Sequence, residues 1–174
     1  GSTADPVDEA NHYLDMAGAW LRPGYLLPMY DFEGVIGTRS ENELAQFSHA
    51  FSDRVFEVTG VRPLIYTNGN HAQNVLGVAT NPTPTQTVAK FPVLFMSRYP
   101  AGSGNLYQGD IQTALPTDTI AGTDYSWILG PWDDVIPQNW VFWQYSSGEN
   151  TARTGIPDQT TDGDVAQGDI EFVK

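Results

Sequence analysis

Asp31 and Glu33 are the residue pair in this chain best placed to do chemistry. They close an apolar run, Tyr25-Leu26-Leu27-Pro28-Met29-Tyr30, and are followed by Gly34. If that run is a strand, residues i and i+2 share a face, which sets the two Cα atoms roughly 6.5–7 Å apart. Two carboxyls so placed can divide the work of glycoside hydrolysis. One is held protonated as the acid, and the other is ionised beside the reacting sugar. The spacing falls near the boundary between the separations expected for a retaining and an inverting outcome. A bare Asp-x-Glu also describes a solvated strand end entering a turn, so the pair must be weighed with the rest of the chain.

The elements that would position the pair can be read on either side of it. Asp5-Pro6-Val7-Asp8-Glu9 is a helix start, with Asp5 as N-cap and Pro6 at the first position. Val7, Ala10, Leu14, Ala17 and Leu21 follow at helical spacing, up to Arg22-Pro23-Gly24. After the acid-bearing strand, Ser40-x-x-Glu43 forms a capping box. Leu44, Phe47, Phe51, Val55 and Val58 form the expected buried stripe of a long helix ending at Gly60. Further strands are expected at 61–68, 91–97 and 140–145, with a short helix near 70–76. Residues 80–90 read as a Thr/Pro-rich loop, and 101–138 as surface loops with at most one short element near 125–129. The tail from Asp162 offers a short turn or strand and the start of a final helix. Continuous apolar strands alternating with helices predict a mostly parallel α/β sheet, with chemistry at the strands' C-terminal ends.

The 174 residues suit one domain with its own core. A formal net charge of −13 argues against nucleic acid and anionic membrane surfaces as partners. No segment approaches the roughly 20 apolar residues of a membrane span, and no signal peptide is visible. With no cysteine, disulfides, thiol catalysis and thiolate zinc sites are excluded. His12, His49 and His71 lack zinc-type spacing and read as ordinary surface or boundary residues. There is no nucleophile-elbow serine, phosphate loop or dinucleotide fingerprint. Four of the five tryptophans fall between Trp127 and Trp143. Such a cluster can anchor a core or offer sugar-stacking surfaces.

Five blocks in order carry a family resemblance: the strand ending in Asp31-x-Glu33; Ile65-Tyr66-Thr67-Asn68; Phe95-Met96-Ser97-Arg98-Tyr99; Trp143-Gln144-Tyr145-Ser146-Ser147; and Gly155-Ile156-Pro157 leading into an Asp-containing tail. Together they resemble the glycoside hydrolase family 25 lysozymes, muramidases that act on peptidoglycan. The resemblance implies an irregular TIM-like β/α barrel with an acidic groove at its strand ends. It also implies metal-free and cofactor-free cleavage of the β-1,4 bond between N-acetylmuramic acid and N-acetylglucosamine, and an extracellular or cell-wall location. By the family pattern Glu33 is the general acid and Asp31 its ionised partner. Asp162 matches the family's aspartate near the C-terminus, with Asp164 the nearest competitor. Tyr66, Trp143 and Tyr145 become candidate sugar-contacting residues.

The family pattern begins with a further strand ending in another active-site aspartate, then two strand–helix units ahead of the position of Asp5. The expectation here is therefore a single catalytic-type domain over 1–174, the C-terminal majority of such a barrel. Its open edge would pair with another copy or a missing N-terminal fragment. Two other classes remain open. One is a non-catalytic carbohydrate-binding remnant that keeps the groove. The other is a calcium-binding or structural role for Asp158, Asp162 and Asp164 or for Asp133-Asp134.

Overall fold

The computed structural model describes residues 5–21, 25, 27–34, 37–102, 111, 113–135, 140–150 and 160–167. Helix α1 spans Pro6–Ala17. The Asp5 carboxylate accepts from the backbone N–H groups of Val7 (2.8 Å) and Asp8 (3.3 Å), supplying partners the first turn otherwise lacks. Helix α2, Glu41–Thr59, starts with the full capping box. Glu43 N–H donates to Ser40 Oγ at 3.3 Å, and Ser40 N–H donates to Glu43 Oε2 at 2.8 Å. It stops at Gly60, whose φ of 71° lies in the left-handed region that glycine adopts without strain. Replacing Ser40 by Ala should lower unfolding free energy by about 1 kcal/mol in a urea titration. An unchanged midpoint would mean that water caps the helix equally well.

The buried stripes are narrower than helical spacing alone suggests. In α1 only Ala10 is fully buried; Leu14, Ala17 and Leu21 are half-buried and Val7 is exposed. In α2 the buried face is Ala45, Ser48, Phe51, Ser52 and Val55, while Val58 is exposed. The helix has turned its small residues inward. Ser48 Oγ donates to Leu44 O (2.9 Å) and Ser52 Oγ to Lys90 O (2.7 Å), so both buried hydroxyls are satisfied as the helix packs closely. The Arg39 guanidinium covers the displaced Phe47 ring at 4.6 Å.

Strands β1 (Met29–Phe32), β2 (Leu64–Asn68), β3 (Leu94–Ser97) and β4 (Phe142–Asn150) run parallel, and β5 (Thr160–Ala166) pairs antiparallel with β4. The result is an open five-stranded sheet in the order β1-β2-β3-β4-β5, not a closed barrel. The expected tail strand is β5; the expected final helix lies outside the described residues. Between β2 and β3, the single turn α3 (Gly69–His71) runs into a π-type turn over Ala72–Leu76.

The expected loop at 80–90 contains a helix instead, α4 (Pro84–Lys90). It starts with a second capping box, in which Thr83 N–H donates to Gln86 Oε1 (2.8 Å), followed by Pro84 at the first position. The Pro that suggested a loop is in the one helical position where a missing N–H costs nothing. In the 111–135 region the regular pieces are an Ile120–Thr123 bridge and a 3-10 turn, Gly130–Trp132.

One face of the sheet meets the helices. Phe32, Ile65, Leu94, Met96 and Trp143 pack there with Phe91, Leu129 and Trp132. Trp132 is fully buried and its indole N–H donates to Phe91 O at 2.9 Å. No helix among the described residues is long and apolar enough to cross a membrane.

Candidate active site

The strand register sorts the side chains into two faces. Asp31, Tyr66, Phe95 and Phe142 are successive partners across β1 to β4, so they form one row on the face away from the helices. One residue pair further along, Asn68, Ser97, Gln144 and Asp164 form the next row. Glu33 follows directly after β1, at the level of this second row. The aromatic members touch edge to face or tilted, with ring centroids 5.0 Å apart for Tyr66–Phe95 and 5.4 Å for Phe95–Phe142. The acids therefore stand at the C-terminal end of a partly aromatic floor.

Asp31 and Glu33 are both exposed, and their carboxyls are both pushed above ordinary values, by different surroundings. Burial raises Asp31, while the Glu33 backbone N–H bonded to it favours its ionised form. For Glu33, burial comes first, then the Asp31 charge; Asp162 raises it further. His71 and the Tyr66 hydroxyl pull in the opposite direction. Asp162 is thus close enough to Glu33 to be felt, although 129 positions separate them in the chain. Asp164 is pushed up to about 6, by burial of its carboxyl first and the Asp162 charge second. The structure therefore brings Asp31, Glu33 and Asp162 together, with Asp164 beside Asp162 and opposite Gln144.

Tyr66 shares this face but is buried, and its hydroxyl donates to Gln144 Oε1 at 2.7 Å. The Tyr99 hydroxyl donates to the same oxygen. Burial pushes the Tyr66 phenol up, so it stays a neutral donor beside Glu33. Gln144 is a buried hub that fixes both tyrosines, a role that strand-end position hinted at and residue type did not.

Trp143 and Tyr145 do not line this face. Trp143 is fully buried in the helix-side core, edge-on to Trp140, with its indole N–H donating to Arg98 O at 2.9 Å. Tyr145 is half-buried on the same side, its ring 6.1 Å from Trp143. On the sheet these two stand on the opposite face from Asp31 and Tyr66. The physical reason is strand alternation, which turns 143 and 145 opposite to 142 and 144. Arg98 is likewise turned to the loops, its guanidinium 3.8 Å from the Tyr125 ring centre and its Nη2 donating to Asp118 O.

His71 was not recognisable as a site residue from sequence. It is buried after β2, with Nδ1 3.0 Å from Asn68 Oδ1 and Nε2 3.0 Å from the Gly34 carbonyl, next to Glu33. His49, by contrast, bonds Thr87 between α2 and α4, and burial lowers it to about 4. Among the described residues no group of three His, Cys, Asp or Glu side chains could hold a metal ion. Asp158 lies outside those residues.

The pattern of glycosyl hydrolases family 25 matches residues 1–154. No curated protein sequence matches the chain. Among solved structures, the fold is similar to the spore cortex lytic enzyme SleM of Clostridium perfringens, with TM-score 0.63 and 16% identity over 97% of this chain and 46% of that one. It is also similar to a bacterial lysozyme from Streptomyces coelicolor, with TM-score 0.62 and 15% identity over 98% of this chain and 64% of that one. A family GH25 lysozyme from Aspergillus fumigatus gives TM-score 0.59 and 18% identity over 98% of this chain and 65% of that one. The chain thus spans from under half to just under two thirds of the length of these relatives.

Proposed function

The chain belongs to glycosyl hydrolases family 25, and on that premise we propose that it is a lysozyme-like hydrolase acting on peptidoglycan. The bond cut is the β-1,4 link from N-acetylmuramic acid to N-acetylglucosamine. Glu33 delivers its proton to the glycosidic oxygen as the bond from the anomeric carbon breaks. Water supplies the hydroxyl that ends on that carbon, and its remaining proton restores the acid. Asp31, ionised, steadies the positive charge that develops on the sugar, and Asp162 is the third acid of the group. Residues 1–174 act as a single catalytic-type domain, at the cell wall or outside the cell.

The observation that carries this reading is the gathering of Asp31, Glu33 and Asp162 at one strand end, where Glu33 is pushed up by burial first and then by the Asp31 and Asp162 charges. Burial raises Asp31 too, while the backbone N–H it accepts from Glu33 favours its ionised form. A carboxyl held up by burial and by a neighbouring carboxylate suits the role of the acid.

The decisive test is mass spectrometry of soluble products after incubation with purified peptidoglycan. New N-acetylmuramic acid reducing ends support the proposal. Binding without products, from folded protein, overturns it in favour of a binding-only role.

The rate should also depend on pH in a defined direction. The acid form of Glu33 is required, so kcat/KM falls as pH rises through its pKa. Because that pKa is raised, the alkaline limb should lie above the 4.5 of an unperturbed glutamic acid. On the acid side, activity falls as Asp31 takes up a proton. An alkaline limb at or below 4.5 in a pH–rate profile would remove Glu33 from the acid role.

A further inference from the structure

We propose that His71 is a positioning residue for Glu33, a doubly protonated imidazolium that clamps the turn following the acid; this inference rests on the hydrolase reading of Glu33. The hydrogen-bond partners determine the protons. Asn68 Oδ1 accepts the backbone N–H of His71 at 3.0 Å, which identifies that atom as the amide oxygen. The same oxygen lies 3.0 Å from the ring Nδ1, so Nδ1 must donate. Nε2 lies 3.0 Å from the Gly34 carbonyl, which can only accept, so Nε2 donates too. A histidine that donates from both nitrogens carries a positive charge.

The surroundings suit a buried cation. The ring stands edge-on to Phe32, centroids 5.5 Å apart at 83°, and this contact fixes its plane. The titratable groups gathered about Glu33 are Asp31 on β1, Tyr66 on β2, Asp162 on β5 and His71 itself. Within that set of described groups, His71 supplies the positive charge that offsets the carboxylates. It opposes the rise that burial, Asp31 and Asp162 impose on Glu33. One ring thereby both fixes the backbone one residue beyond the acid and limits how tightly that acid holds its proton.

His71→Gln keeps a donor for the Gly34 carbonyl and removes the charge. The Glu33 carboxyl, followed by carbon NMR, should then titrate at higher pH than in the unmodified protein, and the alkaline limb of kcat/KM should move with it. His71→Ala removes the clamp as well, and should lower kcat roughly tenfold with less change in KM. In the unmodified protein, nitrogen NMR of the ring at mildly acidic pH should show both nitrogens protonated, a reading that needs no variant to fold. An unprotonated ring nitrogen there, or an unchanged Glu33 titration in His71→Gln, overturns the proposal. The carboxyl titration does not require turnover. If no sample releases products, the hydrolase reading fails while the titration still decides the role of His71.

Discussion

Glu33→Gln should reduce peptidoglycan hydrolysis by about 10²–10⁴-fold, the range over which a positioned general acid contributes. The amide has nearly the same shape, but it has no acidic proton to give to a leaving oxygen. Stability should hold or rise slightly, because the change removes one carboxyl from a group that already contains Asp31 and Asp162. Glycan binding should persist, since the floor of Phe95 and Phe142 is untouched. Product release by mass spectrometry, binding by calorimetry and a urea titration together check these outcomes. A variant within a few-fold of the unmodified rate would exclude Glu33 as the acid, whatever the family pattern implies.

The second large effect is on stability. Trp143→Ala should cost about 3–5 kcal/mol, the usual range for emptying a large buried aromatic site. The side chain is fully enclosed in the helix-side core, and its N–H satisfies the Arg98 carbonyl at the end of β3. Against a typical total of roughly 5–15 kcal/mol, that loss would leave a marginal protein. Trp143→Phe keeps most of the packing and leaves that carbonyl without the indole donor, so an intermediate loss of about 1–3 kcal/mol is expected. The readout is the urea midpoint at unchanged slope. If Trp143→Ala instead kept its midpoint and lost glycan affinity, Trp143 would be a groove residue after all.

These two residues also illustrate how much the sequence could disclose. Asp31 and Glu33 stood out because they break an apolar run at a strand end, and the run's own alternation assigned them a common face. The direction in which Trp143 and Tyr145 point was not legible, for the converse reason. In Trp140-Val141-Phe142-Trp143-Gln144-Tyr145 both faces are apolar or aromatic up to Gln144, so alternation is hard to see and a family block indicates residue type without direction. Helix α4 was hidden by its Thr/Pro composition, though its Thr83-x-x-Gln86 box and Pro84 were legible signals. The rotated face of α2 was less accessible. Its inward serines gain partners such as Lys90 O, which is distant in sequence and can be seen only once the chain is folded. His71 lay further out of reach, because its meaning depends on a carbonyl 37 residues earlier. The open sheet agrees with the expected incomplete barrel, and four of its five strands run parallel as the apolar runs implied.

β1 is four residues long, forms one end of the described sheet and pairs there with β2 alone. Backbone amides at such a margin exchange with solvent through small local openings that leave the remainder of a protein intact. Both acids are on or next to this segment, so turnover should fade on warming at a lower temperature than the one that melts the tryptophan core. An oligosaccharide held against β1 would suppress those openings. Deuterium uptake at 29–33 would then report occupancy of the groove more sensitively than any shift in global melting.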